Sequence, residues 1–351
     1  MHAMVYHGPG RRSWEQVPDP VVQRATDAIV RVDAVTICGT DLHILKGDVP
    51  EVQRGRILGH EAVGTVTEIG SAVEKLAVGD RVLVSCISAC GSCRYCRDGQ
   101  YGQCLGGGGW ILGHLIDGTQ AEYVRVPFAD NSTHNVPPGV SDGQMVMLAD
   151  ILPTSYEVGV LSAAVRPGDT VAIVGAGPIG LAAVLTAKLY SPGHIVVIDI
   201  AESRLEAAKN MGADVVVNST SQDARSVVDE LTDGLGADVA MEAVGAPETF
   251  EHAVRLVRAG GHVANIGVHG KPATLHLEDI WIKNLTITTG LVDTHSTPSL
   301  ISLVANHQID TAAMITHHFG MDEFDLAYDV FSRAGETGAL KVLLTRTAHN
   351  E

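Results

Sequence analysis

Cysteine is the residue type whose spacing most clearly indicates chemistry in this chain. Five of the six cysteines lie between positions 86 and 104, and CGSCRYCRDGQYGQC (90–104) has the spacing C-x2-C-x2-C-x7-C. In a reducing compartment, repeats of this kind are typical of zinc ligands. The pattern predicts a lobe (86–105) with a closed, structural zinc site formed by Cys90, Cys93, Cys96 and Cys104. An iron–sulfur cluster and free thiols are the alternatives, and Cys86 is expected to be a buried thiol.

The expected compartment, the length and the net charge of the chain argue against disulfides and against two classes of partner. The opening residues MHAMVYHGPGRRSW contain no uninterrupted apolar core and no small-residue cleavage site, so we expect a cytoplasmic protein without a secretory signal. A chain of 351 residues can bury a core without disulfides. Its formal net charge of −17 disfavours nucleic acid and anionic membranes as partners, because both bind basic surfaces.

A second chemical motif is the G-x-G-x-x-G formed by Gly175, Gly177 and Gly180. It follows an apolar strand-like segment and opens a helix-like one, which is the context of a dinucleotide-binding turn. Such glycines permit a tight turn, close approach of the pyrophosphate and close helix–sheet packing. Asp199, 19 residues after Gly180, predicts NAD because a carboxylate there accepts hydrogen bonds from the ribose and repels a 2′-phosphate. A glycine turn without a cofactor is the alternative.

These motifs lie in two kinds of secondary-structure pattern. Before about residue 150, short alternating runs separated by turn residues predict an irregular antiparallel β domain. From residue 168 onward, strand-like and helix-like segments alternate and predict a doubly wound parallel sheet. We therefore predict an α/β protein with one domain at 1–151 and 292–351 and a second at 152–291. The uncharged run 170–187 contains three glycines and a proline, which argues against a membrane span.

Two further motifs, CGTDLH (38–43) and GHE (59–61), complete a pattern that resembles the zinc-dependent medium-chain alcohol dehydrogenases, in particular their secondary-alcohol branch. The resemblance covers essentially the whole chain. It implies a GroES-like β-barrel catalytic domain, a Rossmann NAD-binding domain, and two zinc ions per chain, one catalytic and one structural. It also implies a homodimer or homotetramer, since LTITTG (285–290) is similar to an edge strand that pairs across a two-fold axis.

The resemblance assigns the catalytic zinc to Cys38, His60 and Asp150, which leaves a fourth position open. Glu61 is similar to a glutamate that approaches this zinc, and a supporting carboxylate that never binds the metal is its alternative role. Asp41 would orient His60 through a hydrogen bond. Many family members have cysteine in place of Asp150, whereas polyol and threonine dehydrogenases usually have glutamate.

Substrate and cofactor contacts follow from the same resemblance. Thr40 resembles a hydroxyl that binds the substrate oxygen, His43 resembles a proton relay, and Trp110 resembles a tryptophan that lines the substrate pocket. Plain packing is the alternative role of Trp110. The implied cofactor contacts are Thr154, Gly175, Gly177, Pro178, Ile179, Gly180, Asp199 and Arg204. Thr154 and Arg204 could also be ordinary helix residues.

The implied activity is hydride transfer between a small, secondary or primary alcohol and NAD, which gives a ketone or an aldehyde. The alternatives within the family are a polyol, threonine or formaldehyde dehydrogenase. A non-enzymatic relative that kept the fold is a third hypothesis. Such relatives generally lose the catalytic zinc ligands, and this sequence keeps them.

Overall fold

The computed structural model describes residues 1–346, whose contacts divide the chain into two units. The first comprises Met1–Pro153 together with the C-terminal residues from Val292, and the second is Thr154–Leu291. The first unit begins with β1 (His2–Gly8), β2 (Arg11–Gln16), β3 (Ala28–Thr36), α1 (Gly39–Lys46), β4 (Arg56–Ile57), β5 (Ala62–Ile69), β6 (Arg81–Val84), α2 (Arg94–Arg97), β7 (Tyr123–Val126), α3 (Ala129–Ser132), β8 (Thr133–Asn135), α4 (Asp142–Val146) and α5 (Ile151–Thr154).

The second unit opens with a π-helical segment, Ser155–Leu161. It continues with β9 (Thr170–Val174), α6 (Pro178–Ala187), β10 (His194–Asp199), α7 (Glu202–Met211), β11 (Val215–Asn218), α8 (Ala224–Leu231), β12 (Ala237–Glu242), α9 (Pro247–Leu256), β13 (Val257–Asn265), α10 (Leu277–Ile280) and β14 (Thr286–Thr289). The chain then returns to the first unit with α11 (Thr297–Ala305), β15 (Ile315–Gly320), α12 (Phe324–Ser332), α13 (Ala334–Thr337) and β16 (Lys341–Thr345).

The first unit is built on β-sheet that is mainly antiparallel, as the alternating sequence pattern predicts. Its larger sheet has the order β15-β16-β3-β5-β6-β8, with β7 also paired to β3, and a smaller sheet has the order β2-β1-β4. Alternate residues of β3 and β5 bury their side chains in a core that also receives Phe324 and Tyr328 from α12. Strand β16 is hydrogen-bonded to β3, so residues 341–345 join the sheet to which residues 28–36 belong.

The second unit contains six parallel strands in the order β11-β10-β9-β12-β13-β14. This order is that of a Rossmann sheet, with the switch point between β9 and β12, so the predicted doubly wound sheet is confirmed. The run 170–187 divides into β9, a turn and α6. Among residues 1–346, no helix is long and apolar enough to cross a membrane.

Candidate active site

Three loops of the first unit bring the predicted metal ligands together. Cys38 follows β3 and precedes α1, His60 lies between β4 and β5, and Asp150 immediately precedes α5. Asp150 Oδ2 lies 3.5 Å from Cys38 Sγ and 3.4 Å from His60 Nε2. With zinc–ligand bonds of about 2.0–2.3 Å, the donors of a tetrahedral site are about 3.3–3.8 Å apart. The thiol, imidazole and carboxylate therefore have spacing and chemistry that fit a zinc ion.

The charges of this cluster also fit a cation. Burial and then the nearby Glu61 carboxylate raise the pKa of the Cys38 thiol. Burial and Asp150 raise the pKa of Cys86 well above its usual range, and the Cys86 thiol donates to Asp150 Oδ1 at 3.6 Å. Burial disfavours protonated His60, but hydrogen bonds with Asp150 and Cys38 outweigh it and raise the pKa of His60 well above normal. A zinc ion would stabilise the Cys38 thiolate beside the Glu61 and Asp150 carboxylates.

Glu61 is held beside the metal ligands by an ion pair that the sequence did not predict. Lys341 Nζ lies 2.5 Å from Glu61 Oε2 and donates to the carbonyl of Ile37 at 3.1 Å, and both charged side chains are 1% exposed. The Thr36 hydroxyl donates to the same carboxylate oxygen. Glu61 Oε1 is buried without a hydrogen-bond partner, and ligand atoms of Glu61, Cys38 and His60 lie within 4.8 Å of one another.

The predicted hydrogen bond from Asp41 to His60 is wrong. Asp41 is the third residue of α1, so its carboxylate turns back to cap that helix, and Oδ2 accepts from the Cys38 N–H at 2.9 Å. The same oxygen accepts from Gln120 Nε2 at 2.9 Å, while Oδ1 is buried without a partner. Asp41 therefore contacts the loop that carries Cys38 (the metal loop) through the Cys38 backbone. The His60 ring affects Asp41 only through its charge.

Of the predicted substrate-side residues, Thr40 and Trp110 lie beside the same cluster, and His43 lies on α1. The Cys38 thiol donates to Thr40 Oγ1 at 3.7 Å. His43 Nδ1 is hydrogen-bonded to Asp48 Oδ2 at 2.8 Å, which leaves Nε2 available for proton exchange. The Trp110 ring lies edge-on to His60, with 6.3 Å between centroids. Thr40 and Trp110 are thus close to predicted metal ligands, and Asp48 is a partner of His43 that sequence reasoning missed.

The four-cysteine lobe has the geometry of a second metal site. The Sγ ligand atoms of Cys90, Cys93, Cys96 and Cys104 all lie within 4.8 Å of one another. Cys90 Sγ and Cys96 Sγ are 3.8 Å apart, which matches two sulfurs of a tetrahedral zinc site with bonds of about 2.3 Å. Hydrogen bonds from the backbone N–H groups of Cys96 and then Leu105 lower the pKa of Cys93, and the Leu105 N–H lies 3.4 Å from Cys93 Sγ.

Replacing Cys93 with serine is expected to remove the zinc of this lobe, because three thiolates no longer complete the tetrahedral set. Metal analysis should fall from about two zinc ions per chain to about one, and the melting temperature should drop. Ser92→Ala is the matched control, since the exposed Ser92 hydroxyl contacts only the Cys90 sulfur and supplies no fourth thiolate. Unchanged zinc in Cys93→Ser, or iron in place of zinc, would contradict this assignment.

The glycine turn of the second unit leaves room where a pyrophosphate would lie. Gly175 has φ of +102° and follows β9 directly. A Cβ at Gly180 would lie 1.8 Å from the Gly175 carbonyl oxygen, so only glycine allows α6 to pack this closely. A Cβ at Gly177, by contrast, would meet no atom within 4 Å. Gly177 is the N-cap of α6 and Pro178 its first residue, so the helix N-terminus faces this opening.

The other predicted cofactor contacts are placed as follows. Asp199 ends β10, and its carboxylate accepts hydrogen bonds from the backbone N–H groups of Ala176, Ile200 and Ala201 at 2.7–2.9 Å. The bond from Ala176 holds the Asp199 carboxylate beside the glycine turn. Arg204 lies on α7 with its Nε buried and unpartnered. The Ile179 carbonyl accepts from the Ser155 hydroxyl at 2.8 Å, and Thr154 is the last residue of α5.

Two family models match the chain. Residues 24–138 match the alcohol dehydrogenase GroES-like domain, and residues 178–306 match the zinc-binding dehydrogenase family. An alcohol dehydrogenase of Cupriavidus necator is 38% identical, with 98% of each chain covered. A sorbitol dehydrogenase of Halalkalibacterium halodurans is 32% identical, with 97% of each covered.

Solved structures of similar proteins cover the full length as well. Zinc-dependent alcohol dehydrogenase 2 from Streptococcus pneumonia, in its apo form, is 48% identical with a TM-score of 0.95 and complete coverage of both chains. The alcohol dehydrogenase TADH from Thermus sp. ATN1 is 36% identical with a TM-score of 0.91, covering 98% and 99% of the two chains. The alcohol dehydrogenase rspB of Escherichia coli CFT073, complexed with NADH, is 29% identical with a TM-score of 0.87 and the same coverage.

Proposed function

The chain belongs to the zinc-dependent medium-chain alcohol dehydrogenase family, and on that basis we propose that it oxidises small secondary alcohols with NAD. It is a zinc-dependent oxidoreductase that interconverts alcohols and carbonyl compounds. The convergence of Cys38, His60 and Asp150 on one point is the observation that carries the proposal. When bound, zinc supplies Lewis-acid stabilisation of charge on the substrate oxygen, and the dinucleotide accepts the hydride.

The residues of the chain itself position the substrate and move its proton. The Thr40 hydroxyl, next to the Cys38 thiol, is placed to hydrogen-bond the alcohol oxygen and to accept its proton as it passes its own proton on. His43 would release a proton to solvent at the far end of this relay, because its side chain is 25% exposed and Asp48 fixes the ring through Nδ1. Glu61, anchored at Oε2, would offer its unpaired oxygen, Oε1, near the position of the metal.

We propose NAD rather than NADP as the working cofactor, bound by the second unit (154–291). The open space at Gly177 and the N-terminus of α6 suit a pyrophosphate. Asp199 is 9% exposed, and its charge disfavours a 2′-phosphate. Arg204, with a buried and unpartnered Nε, would contact the adenosine ribose, and Thr154, at the end of α5, would pack against the nicotinamide.

The secondary-alcohol preference rests on Trp110. An indole beside His60 favours short alkyl groups and offers the extra hydroxyls of a polyol at most its single N–H donor. Leaving a buried hydroxyl unpaired costs roughly 1–3 kcal/mol, or about 10- to 100-fold in kcat/KM. We therefore expect 2-propanol and 2-butanol to be oxidised with NAD at higher kcat/KM than sorbitol or threonine.

The test is NAD reduction measured over secondary alcohols, polyols, amino alcohols and hydrated aldehydes, repeated with NADP. Trp110→Ala should shift the preference toward bulkier alcohols. A sorbitol or threonine preference would reject the substrate proposal, and a strong NADP preference would reject the role of Asp199. Unchanged selectivity in Trp110→Ala would leave that residue a packing role only.

A polyol is the second candidate substrate because of His114. Its ring stacks on Trp110 with 4.2 Å between centroids, and its Nε2 is buried without a hydrogen-bond partner. A second hydroxyl on the substrate could supply that partner. The similarity to a sorbitol dehydrogenase agrees with this alternative, and the same assay distinguishes the two.

We also propose a homodimer or homotetramer that forms through the edge of the second unit. Strand β14 is at the end of its sheet, and the preceding segment exposes Leu277, Trp281 and Ile282 by 59%, 74% and 68%. An open edge next to an apolar patch suits pairing with a second copy. Light scattering should give a multiple of the 36.9 kDa chain mass, and a monomer would contradict the proposal. We also propose a cytoplasmic location, with which six cysteines outside any disulfide agree.

A further inference from the structure

A buried hydrogen-bonded chain, the Tyr328–Gln120–Asp41 relay, connects helix α12 with the metal loop. The Tyr328 hydroxyl donates to Gln120 Oε1 at 2.7 Å, and Gln120 Nε2 donates to Asp41 Oδ2 at 2.9 Å. That carboxylate oxygen also accepts from the backbone N–H of Cys38 at 2.9 Å. The side chains of the relay are at most 1% exposed, so water does not compete for these bonds.

We propose that Gln120 is a positioning residue for the catalytic metal, acting through Asp41 on the backbone of Cys38. The inference rests on the proposed zinc site. Asp41 Oδ2 fixes the Cys38 N–H, and Gln120 fixes Asp41 Oδ2. Partners that orient metal ligands in this way typically change metal affinity or activity 10- to 100-fold when they are removed, by order of magnitude.

An amide satisfies both neighbours at this position. A carboxylate accepts hydrogen bonds only, so Asp41 requires a donor, while the Tyr328 hydroxyl here donates and requires an acceptor. Glutamate would place a second carboxylate against Asp41, and an apolar side chain would leave buried polar groups unpaired on both sides. Gln120 Nε2 also approaches the Thr36 carbonyl at 3.4 Å, and Thr36 binds Glu61 through its hydroxyl. One amide thus contacts both sides of the metal loop.

The far end of the relay is anchored independently of the metal. The Arg12 guanidinium lies 4.4 Å from the centre of the Tyr328 ring. Arg12 also pairs with Asp325 and Asp329 on α12, at 3.7 and 3.6 Å. Strand β2 therefore holds α12 so that the tyrosine hydroxyl meets Gln120.

The test measures zinc affinity by competition with a chelator, for the unchanged protein, Gln120→Met and Tyr328→Phe. The catalytic zinc of Gln120→Met should bind about 10- to 100-fold more weakly, while the zinc of the four-cysteine lobe is unaffected. Tyr328→Phe should show a smaller loss in the same site, and the double variant no more than Gln120→Met alone. After cobalt replaces the catalytic zinc, the visible bands should shift in both single variants. Tyr6→Phe is the control, since it removes a hydroxyl from a buried tyrosine of the same core outside the relay.

Two results would overturn the role of Gln120. In the first, Gln120→Met and Tyr328→Phe both bind the catalytic zinc as tightly as the control Tyr6→Phe does. In the second, the variants bind both zinc ions equally weakly, which indicates general destabilisation. If Gln120→Met does not fold, Tyr328→Phe alone decides between these outcomes. An unchanged protein that binds only the lobe zinc would instead refute the proposed function, and the inference with it.

Discussion

Replacing Asp150 with alanine is expected to release the catalytic zinc and lower kcat/KM for alcohol oxidation by about 10³-fold or more. Asp150 Oδ2 lies within 3.5 Å of both Cys38 Sγ and His60 Nε2, so its loss leaves Cys38 and His60, with only the Lys341-bound Glu61 carboxylate nearby. Loss of Lewis-acid stabilisation is worth several kcal/mol, and about 4 kcal/mol corresponds to 10³-fold in rate. Metal analysis should show about one zinc ion per chain, held by the lobe, and the assay should follow NAD reduction.

Asp150→Cys provides the matched control. A thiolate is an equally good zinc donor at this position, so this variant should keep about two zinc ions and measurable activity. Comparison of the two variants distinguishes the loss of a zinc ligand from the effect of replacing Asp150 as such. Full activity and two zinc ions in Asp150→Ala would exclude Asp150 from the metal site.

Replacing Lys341 with methionine is expected to lower the free energy of unfolding by about 3–5 kcal/mol. Lys341 and Glu61 form an ion pair with both side chains 1% exposed, and removal of one partner leaves the other charge buried without compensation. Methionine keeps the length and apolar packing of the lysine stem, so the lost charge dominates the effect. Urea unfolding of the zinc-loaded protein measures it.

Two further variants isolate the charge. Lys46→Met removes an exposed lysine from α1 and should stay within about 0.5 kcal/mol of the unchanged protein. Glu61→Gln combined with Lys341→Met should recover part of the loss, since no uncompensated carboxylate then remains. Equal stability of Lys341→Met and Lys46→Met would show that the pair contributes nothing to folding.

Sequence reasoning succeeded where the relevant interactions are local. The alternation of strand-like and helix-like segments predicted the parallel sheet. The dinucleotide motif was recognisable because Gly175, Gly177 and Gly180 all belong to a single strand–turn–helix connection. The four cysteines of the lobe are likewise close in sequence.

Contacts between distant segments gave no local signal. Lys341 is 280 positions from Glu61, and Tyr328 is 208 from Gln120, so no periodicity or spacing connects them. Both pairs are polar groups in an apolar core, where a propensity argument expects hydrophobic residues. The prediction for Asp41 is wrong for the opposite reason: helix capping, a local backbone requirement, takes the carboxylate that we expected to bind His60.

The pairing of β16 with β3 determines when this enzyme can become active during its synthesis. On the ribosome, residues 28–36 emerge long before residues 341–345, and the chain between them includes the whole second unit. Until residues 341–345 are translated, β3 lacks β16 as a neighbour, although β5 and β7 can already pair with it, and the Glu61 carboxylate lacks Lys341. The nascent chain therefore carries an open strand edge and an incomplete metal pocket until residues 341–345 join them.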